Sequence, residues 1–389
     1  MLSFIVFSML LNSMSVIILQ LSQNQQHSYT GLGMLEFFKD IPIALVSIFM
    51  VDYIKKRSYY ISLSIALIIC TLCSFTIPFV SEFWFLKIWF ILIGISFSIG
   101  KICVFSIIKN ISDNEKDFSK TMSRTEAAFM LGVFIVNIEF AIILNSDYKD
   151  YWKFGFWLVG IISSWAAFQF YRIDQQNVYE IDKSQSKEVI DFRILFDYKS
   201  ILFFTIVVII VFTEQIFNSW LPTFYKHTLK ADSFFALQSS AFLALFSFIG
   251  RLLASKAVVK FSPMKIFFFC LISGIILTSS AYIIGQDTDV KVKILMFLFP
   301  MVGIFTAPLY PMLNSKYLSK FSERRVGKIV SIIILFTSLG GSIGSMSTAY
   351  IFQKNLGNYY LLFATIPLIL ILIFSTFFSI KEKISEYIK

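Results

Sequence analysis

Charge is scarce in this chain: only 15% of its 389 residues are Asp, Glu, Lys or Arg. A soluble surface carries roughly 25–35% of such residues, so a fold with water on every side is excluded. Histidine is scarcer, with His27 and His227 each alone in a polar break, which leaves no metal cluster and no catalytic triad. The four cysteines, Cys70, Cys73, Cys103 and Cys270, all fall inside apolar runs. Cys70 and Cys73 therefore read as packing residues rather than a redox pair or a metal site. GISFSIGKIC imitates a phosphate loop, but five residues separate Gly94 from Gly100 and Ile follows Lys101, all within an apolar stretch. No nucleotide-driven motor is encoded. Neither an enzyme nor a bound cofactor is expected.

What is abundant is hydrocarbon: 57% of residues are hydrophobic, 46 are Phe, and the mean hydropathy is +0.75. A membrane-spanning helix needs about 20 mostly apolar residues, because its backbone must satisfy its own hydrogen bonds in lipid. The sequence predicts twelve such spans, at 2–20, 31–54, 59–79, 83–108, 123–144, 152–172, 199–222, 233–254, 264–285, 292–313, 327–353 and 358–380. The first is not read as a signal peptide: no basic residue precedes it, and the following QLSQNQQHSYTG lacks a small-residue cleavage pattern. The expected fold is all-α and membrane-integral, with two six-helix bundles at 1–172 and 199–389 and a cytoplasmic linker at 173–198.

Lys and Arg fix the expected orientation. With both termini cytoplasmic, twenty-four of the 34 lie in inner loops and helix ends. Eight lie outside (Lys87, Lys149, Lys153, Lys226, Lys230, Lys291, Lys293 and Lys354), and Lys39 and Lys101 fall within spans. The net charge of +10 is then explained by anionic inner-leaflet lipids, without nucleic acid. At a constant offset of 208 residues the halves repeat weakly: Ser47 falls on Ser255, Lys120 on Lys328, Gly132 on Gly340 and Tyr151 on Tyr359.

With this plan the chain resembles the major facilitator superfamily. The superfamily's basic inner-loop signature between helices 2 and 3 is degenerate in MVDYIKKRS, which keeps the acid as Asp52 and the cations as Lys56 and Arg57. Ile48 and Lys55 stand where glycines are usual, and Tyr53 replaces an Arg. GRLLASKAVVKFSPMK, after helix 8, is closer to the pattern, with Gly250, Arg251, Lys260 and Lys265. The resemblance implies a cytoplasmic latch at Asp52, Lys56, Arg57, Gly250 and Arg251; plain charge anchoring is the other reading of the lysines. LGMLEFFKDIP, TEAAFMLGV and EQIFNSWLPTF further resemble the fucose permease type of sugar and proton symporters.

Charged groups within spans are costly unless paired or wetted, so they point to function. Glu36, Lys39 and Asp40 stand at i, i+3 and i+4 on helix 2 and share a face. Either Lys39 bridges the two carboxylates, or the surplus acid meets a proton or the solute. Lys101 and Glu126 have matching depths on helices 4 and 5 and are expected to pair, as a structural or gating contact. Glu214 is the leading coupling carboxylate on helix 7, with Asn218 one turn on and Gln215 beside it. Asn12 and Ser15 share a face of helix 1, and the resemblance places helices 1, 4, 7 and 10 around the cavity. Pro300, Pro308 and Pro311 should permit bending of helix 10, Tyr310 is read as a sugar-stacking or interfacial ring, and Gly340 and Gly344 as a packing surface between the halves. Glu139 is expected to snorkel at the outer end of helix 5.

The expected activity is proton-coupled secondary transport of a small polar solute, a sugar or other nutrient, by alternating access. The expected setting is a monomer in the bacterial inner membrane whose partners are solute, protons and lipid. The alternative is a proton antiporter exporting a drug, siderophore or metabolite.

Overall fold

A computed structural model describes residues 1–23, 28–50, 53–54, 58–80, 82–111, 115–176, 197–258, 260–285, 298–318 and 323–387. Among them, ten helices are long and apolar enough to cross a membrane. We label the helical paths in chain order: α1 (Leu2–Ser22), α2 (29–49), α3 (Tyr59–Thr76), α4 (Phe83–Asn110), α5 (Glu115–Leu144), α6 (Phe156–Gln176), α7 (Tyr198–Thr223), α8 (Ser233–Ala257), α9 (Pro263–Gly285), α10 (302–318), α11 (Glu323–Gln353) and α12 (Tyr360–Tyr387). The two that fall short of the criterion are α2 and α10. α2 breaks at Met34 and carries three charges within a turn; α10 breaks at Ala307 and Pro308, and 286–297 before it lie outside the described residues. The break in α10 falls where the prolines predicted it, since a proline ring removes a backbone donor and clashes with the preceding turn.

Serines fix several helix starts. Ser28 accepts from the Gly31 amide at 3.1 Å, and Ser58 accepts from Tyr60 and Ile61 while donating to Asp174 in the last turn of α6. The expected linker begins within α6, and 177–196 lie outside the described residues, as do Asp52, Lys56 and Arg57 of the expected latch.

The packing repeats six helices on. α3 lies on α6 as α9 lies on α12; α2 lies on α4 as α8 lies on α10; α1 lies on α5 as α7 lies on α11. The halves meet through α5 with α8 and through α2 with α11, again equivalent pairs. Two pseudo-symmetric bundles are therefore present. Ile65, Leu72 and Phe79 on and just after α3, Trp165 on α6, and Phe269 and Ile276 on α9 are exposed, an apolar surface that lipid covers without penalty.

The apolar core is asymmetric. One continuous cluster contains the first half and the far ends of the second, including Phe217, Trp220, Tyr225, Phe352 and Tyr360. A second cluster holds Phe203, Phe204, Phe267, Leu313 and Tyr317, at the end of the second half nearer the termini. The part of α1 packed against α7 is its second stretch, Met14–Gln23. The halves are thus sealed together at the face opposite the chain termini.

Candidate functional site

α7 presents its polar residues in two directions. Successive residues of a helix point about 100° apart, so Glu214 and Gln215 cannot share a target. Glu214 and Asn218, one turn apart, line a cavity of about 20 Å³ with Met130, Phe217, Ser247, Arg251 and Thr306. The cavity lies between the halves: Met130 comes from α5 and the other residues come from α7, α8 and α10. Its volume is room for about one water molecule. Oε1 of Glu214 is buried without a hydrogen-bond partner.

Glu214 belongs to a group of four charges. Arg251 Nη1 lies 3.9 Å from Glu126 Oε2, and its guanidinium also donates to the carbonyls of Ala307 (3.3 Å) and Glu126 (3.5 Å). Lys101 sits in the field of Glu126, Arg251 and Glu214, and Tyr310 faces the same three residues other than Lys101. Two acids and two bases sum to zero, which keeps so much charge tolerable at membrane depth.

This corrects one expectation. No ion pair within 4 Å joins Lys101 to Glu126 among the described residues; Arg251 takes that acid instead. Lys101 Nζ is held 5.7 Å from the ring centroids of both Phe97 and Phe105, one turn before and after it on α4. Gly250 and Arg251 lie within α8, inside the span expected at 233–254. A Cβ on Gly250 would run into the Ile304 backbone, so this glycine brings α8 against α10 and carries Arg251 into the cavity. The sequence signal for this was the spacing of Ser247 and Arg251, four apart on one face.

The α2 charges form a separate cluster. Lys39 is paired with Glu36 and lies 3.8 Å from Asp40 Oδ1. Glu36 Oε1 accepts from Gln215 Nε2 at 2.6 Å and from Ser219 Oγ at 2.7 Å, and Asp40 Oδ2 accepts from Ser342 Oγ at 3.0 Å. Gln215 thus belongs with Glu36, away from Glu214. Ser219 and Ser342 had no distinguishing signal among so many serines in spans. Asn12 donates to the Ser8 carbonyl at 3.0 Å within its own helix, while Ser15 donates to Asn137 Oδ1 on α5 at 3.4 Å.

Four further residues differ from expectation. His227 is not isolated: its Nε2 lies 3.2 Å from Ser22 Oγ of α1, and its ring meets Tyr29 edge-on at 5.7 Å. Gly340 and Gly344 pack on the backbones of Val208 and Phe212 within the second half, and Gly341 between them faces Asp40 of the first. Oε2 of Glu139 is buried without a hydrogen-bond partner although the residue is only half-buried, so at least one carboxylate oxygen is turned from the surface. The four cysteines are free and buried.

The family model described as Major Facilitator Superfamily matches residues 1–345. The chain belongs to the major facilitator superfamily. Comparison with curated proteins finds no match. Among solved structures, this member of the superfamily is similar to a D-xylose-proton symporter at 16% identity, covering 96% of this chain and 95% of that one with a TM-score of 0.76. A bacterial homologue of the human lysosomal transporter Spinster, inward-facing and occupied, is similar at 14% identity over 97% and 95% of the two chains, with a TM-score of 0.67. A bacterial homologue of the iron transporter ferroportin, outward-facing, is similar at 11% identity over 97% and 99%, with a TM-score of 0.66. At such identities the likeness is one of fold. The major facilitator described here is a transporter, not an enzyme.

Proposed function

We propose that this major facilitator is a proton-coupled secondary transporter of a small polar solute, a sugar or other nutrient, working by alternating access in the bacterial inner membrane. Both termini are cytoplasmic, as the threefold excess of Lys and Arg on that side favours. Residues 1–172 and 199–389 are the rocking bundles, 173–198 links them, and one chain is the transporting unit. The face sealed by Trp220, Phe352 and Tyr360 is then the outer one, so the site communicates with the cytoplasm once the inner ends part.

The observation that carries this reading is the unpartnered Oε1 of Glu214 in the cavity between the bundles. An ionised Glu214 is drawn toward Arg251, while a protonated one becomes a donor to a solute oxygen. Asn218, Ser247 and Thr306 surround it with donors and acceptors suited to hydroxyls. Room for one water excludes a sugar from this conformation, so solute entry requires the halves to move apart, as alternating access demands. Lys101, Glu126 and Arg251 hold the inner side of the site in register.

Uptake into proteoliposomes under an imposed pH gradient, acid outside, tests this with a panel of sugars, polyols and amino acids. We expect accumulation of one solute class, and loss of accumulation but not of solute binding in Glu214→Gln. Exchange of protons for siderophores or lipophilic cations would replace symport by export.

A further inference from the structure

Glu36 has no exposed surface and lies outside the cavity that Glu214 lines. Its Oε1 accepts two bonds from α7, at 2.6 Å from Gln215 and 2.7 Å from Ser219, and four residues on, Asp40 accepts from Ser342 of α11 at 3.0 Å. Further along α2, Ser47 Oγ lies 3.5 Å from the Ser331 carbonyl of α11. All these contacts cross from the first half to the second. Gly341 makes the space: a Cβ there would lie 2.9 Å from Asp40 Oδ2. On its other side α2 is seated on Gly94 of α4, where a Cβ would meet the Lys39 carbonyl.

We propose that Glu36, Lys39 and Asp40 form a clasp that holds α2 against α7 and α11 in the state closed opposite the termini, and that they do not touch the solute. The distribution of charge carries the inference. Among the described residues, every partner supplied by the second half is neutral, an amide or a hydroxyl, whereas the one cation bonded to these acids, Lys39, sits on the same helix. A salt bridge between the halves would leave two bare charges at membrane depth whenever it opened, a severe penalty. Here the ionic triad travels intact with α2, and opening costs the triad three hydrogen bonds to neutral groups. The clasp therefore favours closure without making it irreversible. This role is independent of which solute or ion is carried.

The test is a distance measurement between spin labels on the full-length protein, at Glu82→Cys before α4 and Lys354→Cys after α11, with the four native cysteines replaced by alanine. Both labelled residues are exposed at the face opposite the termini. Gln215→Leu with Ser219→Ala removes the donors and leaves the α2 triad untouched. Two hydrogen bonds to a charged acceptor are lost, so the ratio of long-distance to short-distance populations should rise at least about tenfold. Ser342→Ala, a milder change that preserves packing, should shift it in the same direction, and it decides the matter if the double variant fails to fold. An unchanged ratio in folded variants overturns the clasp. So does an unchanged ratio accompanied by loss of solute binding, which would place these residues in the solute site.

Discussion

Glu214 and Arg251 show how little of a side chain's role is contained in its position along the chain. Both are charged and both sit in spans; burial within helix 7 marked one for coupling, while the superfamily resemblance implied a cytoplasmic latch for the other. Arg251 instead reaches the cavity because Gly250 lets α8 approach Ile304 closely, a contact that no helical periodicity encodes. Likewise, depth matching alone selected Lys101 for Glu126, whereas distance selects Arg251 and the Phe97 and Phe105 rings absorb Lys101. A charge swap distinguishes these assignments. Glu126→Arg and Arg251→Glu should each cost on the order of 2–3 kcal/mol of thermal stability, below the range for a fully buried pair because 21% and 11% of the side chains remain exposed. Combined, they should regain most of that loss in thermal melts of the purified protein. Combining Glu126→Lys with Lys101→Glu should regain little.

Among the helices, α7 and α11 carry the division of labour. α7 turns Glu214 and Asn218 to the cavity and Gln215 and Ser219 to α2, so one helix reads both the site and the state of the opposite half. α11 uses three glycines: Gly340 and Gly344 seat it on α7, and Gly341 admits Asp40. SLGGSIGSMS was read from the sequence as a packing surface between the halves; the close packing is there, but Gly340 and Gly344 meet α7 of their own half, because a small-residue pattern does not encode which neighbour it faces. Gly250→Ala and Gly344→Ala should each lower stability by about 1–3 kcal/mol, because the atoms in the way are backbone and cannot swing aside. Gly274→Ala is the contrasting case: its Cβ would find neighbours at 3.7 to 4.0 Å, and gain from a better helix former should leave stability unchanged or slightly raised. Equal losses at all three positions, measured by thermal unfolding, would contradict this reading of the packing.

For the whole molecule, hydropathy and charge alone conveyed the class, the helix order and the two halves, because lipid imposes a length and composition on each span that no other solvent does. Ten of the twelve expected spans satisfy those limits among the described residues, and the two that do not, α2 and α10, are the ones whose helices are broken, at Met34 and at Ala307–Pro308. What could not be read from the chain was which face is shut, since that depends on contacts between residues 205 and 324 positions apart, Ser22 with His227 and Tyr29 with Gln353. If the sealed face must open in each cycle, cross-linking Ser22→Cys to His227→Cys should abolish transport and reduction should restore it; transport that survives full cross-linking would mean the face stays shut throughout. The central claim concerns the proton. Its most direct measurement is proton flux into proteoliposomes on addition of the solute, read by an internal pH dye, for wild type and Glu214→Gln. The account predicts solute-dependent acidification of the lumen by the wild type and none by the variant, with solute binding retained. Equal acidification by both proteins, or solute uptake by the wild type with no proton flux, would contradict it.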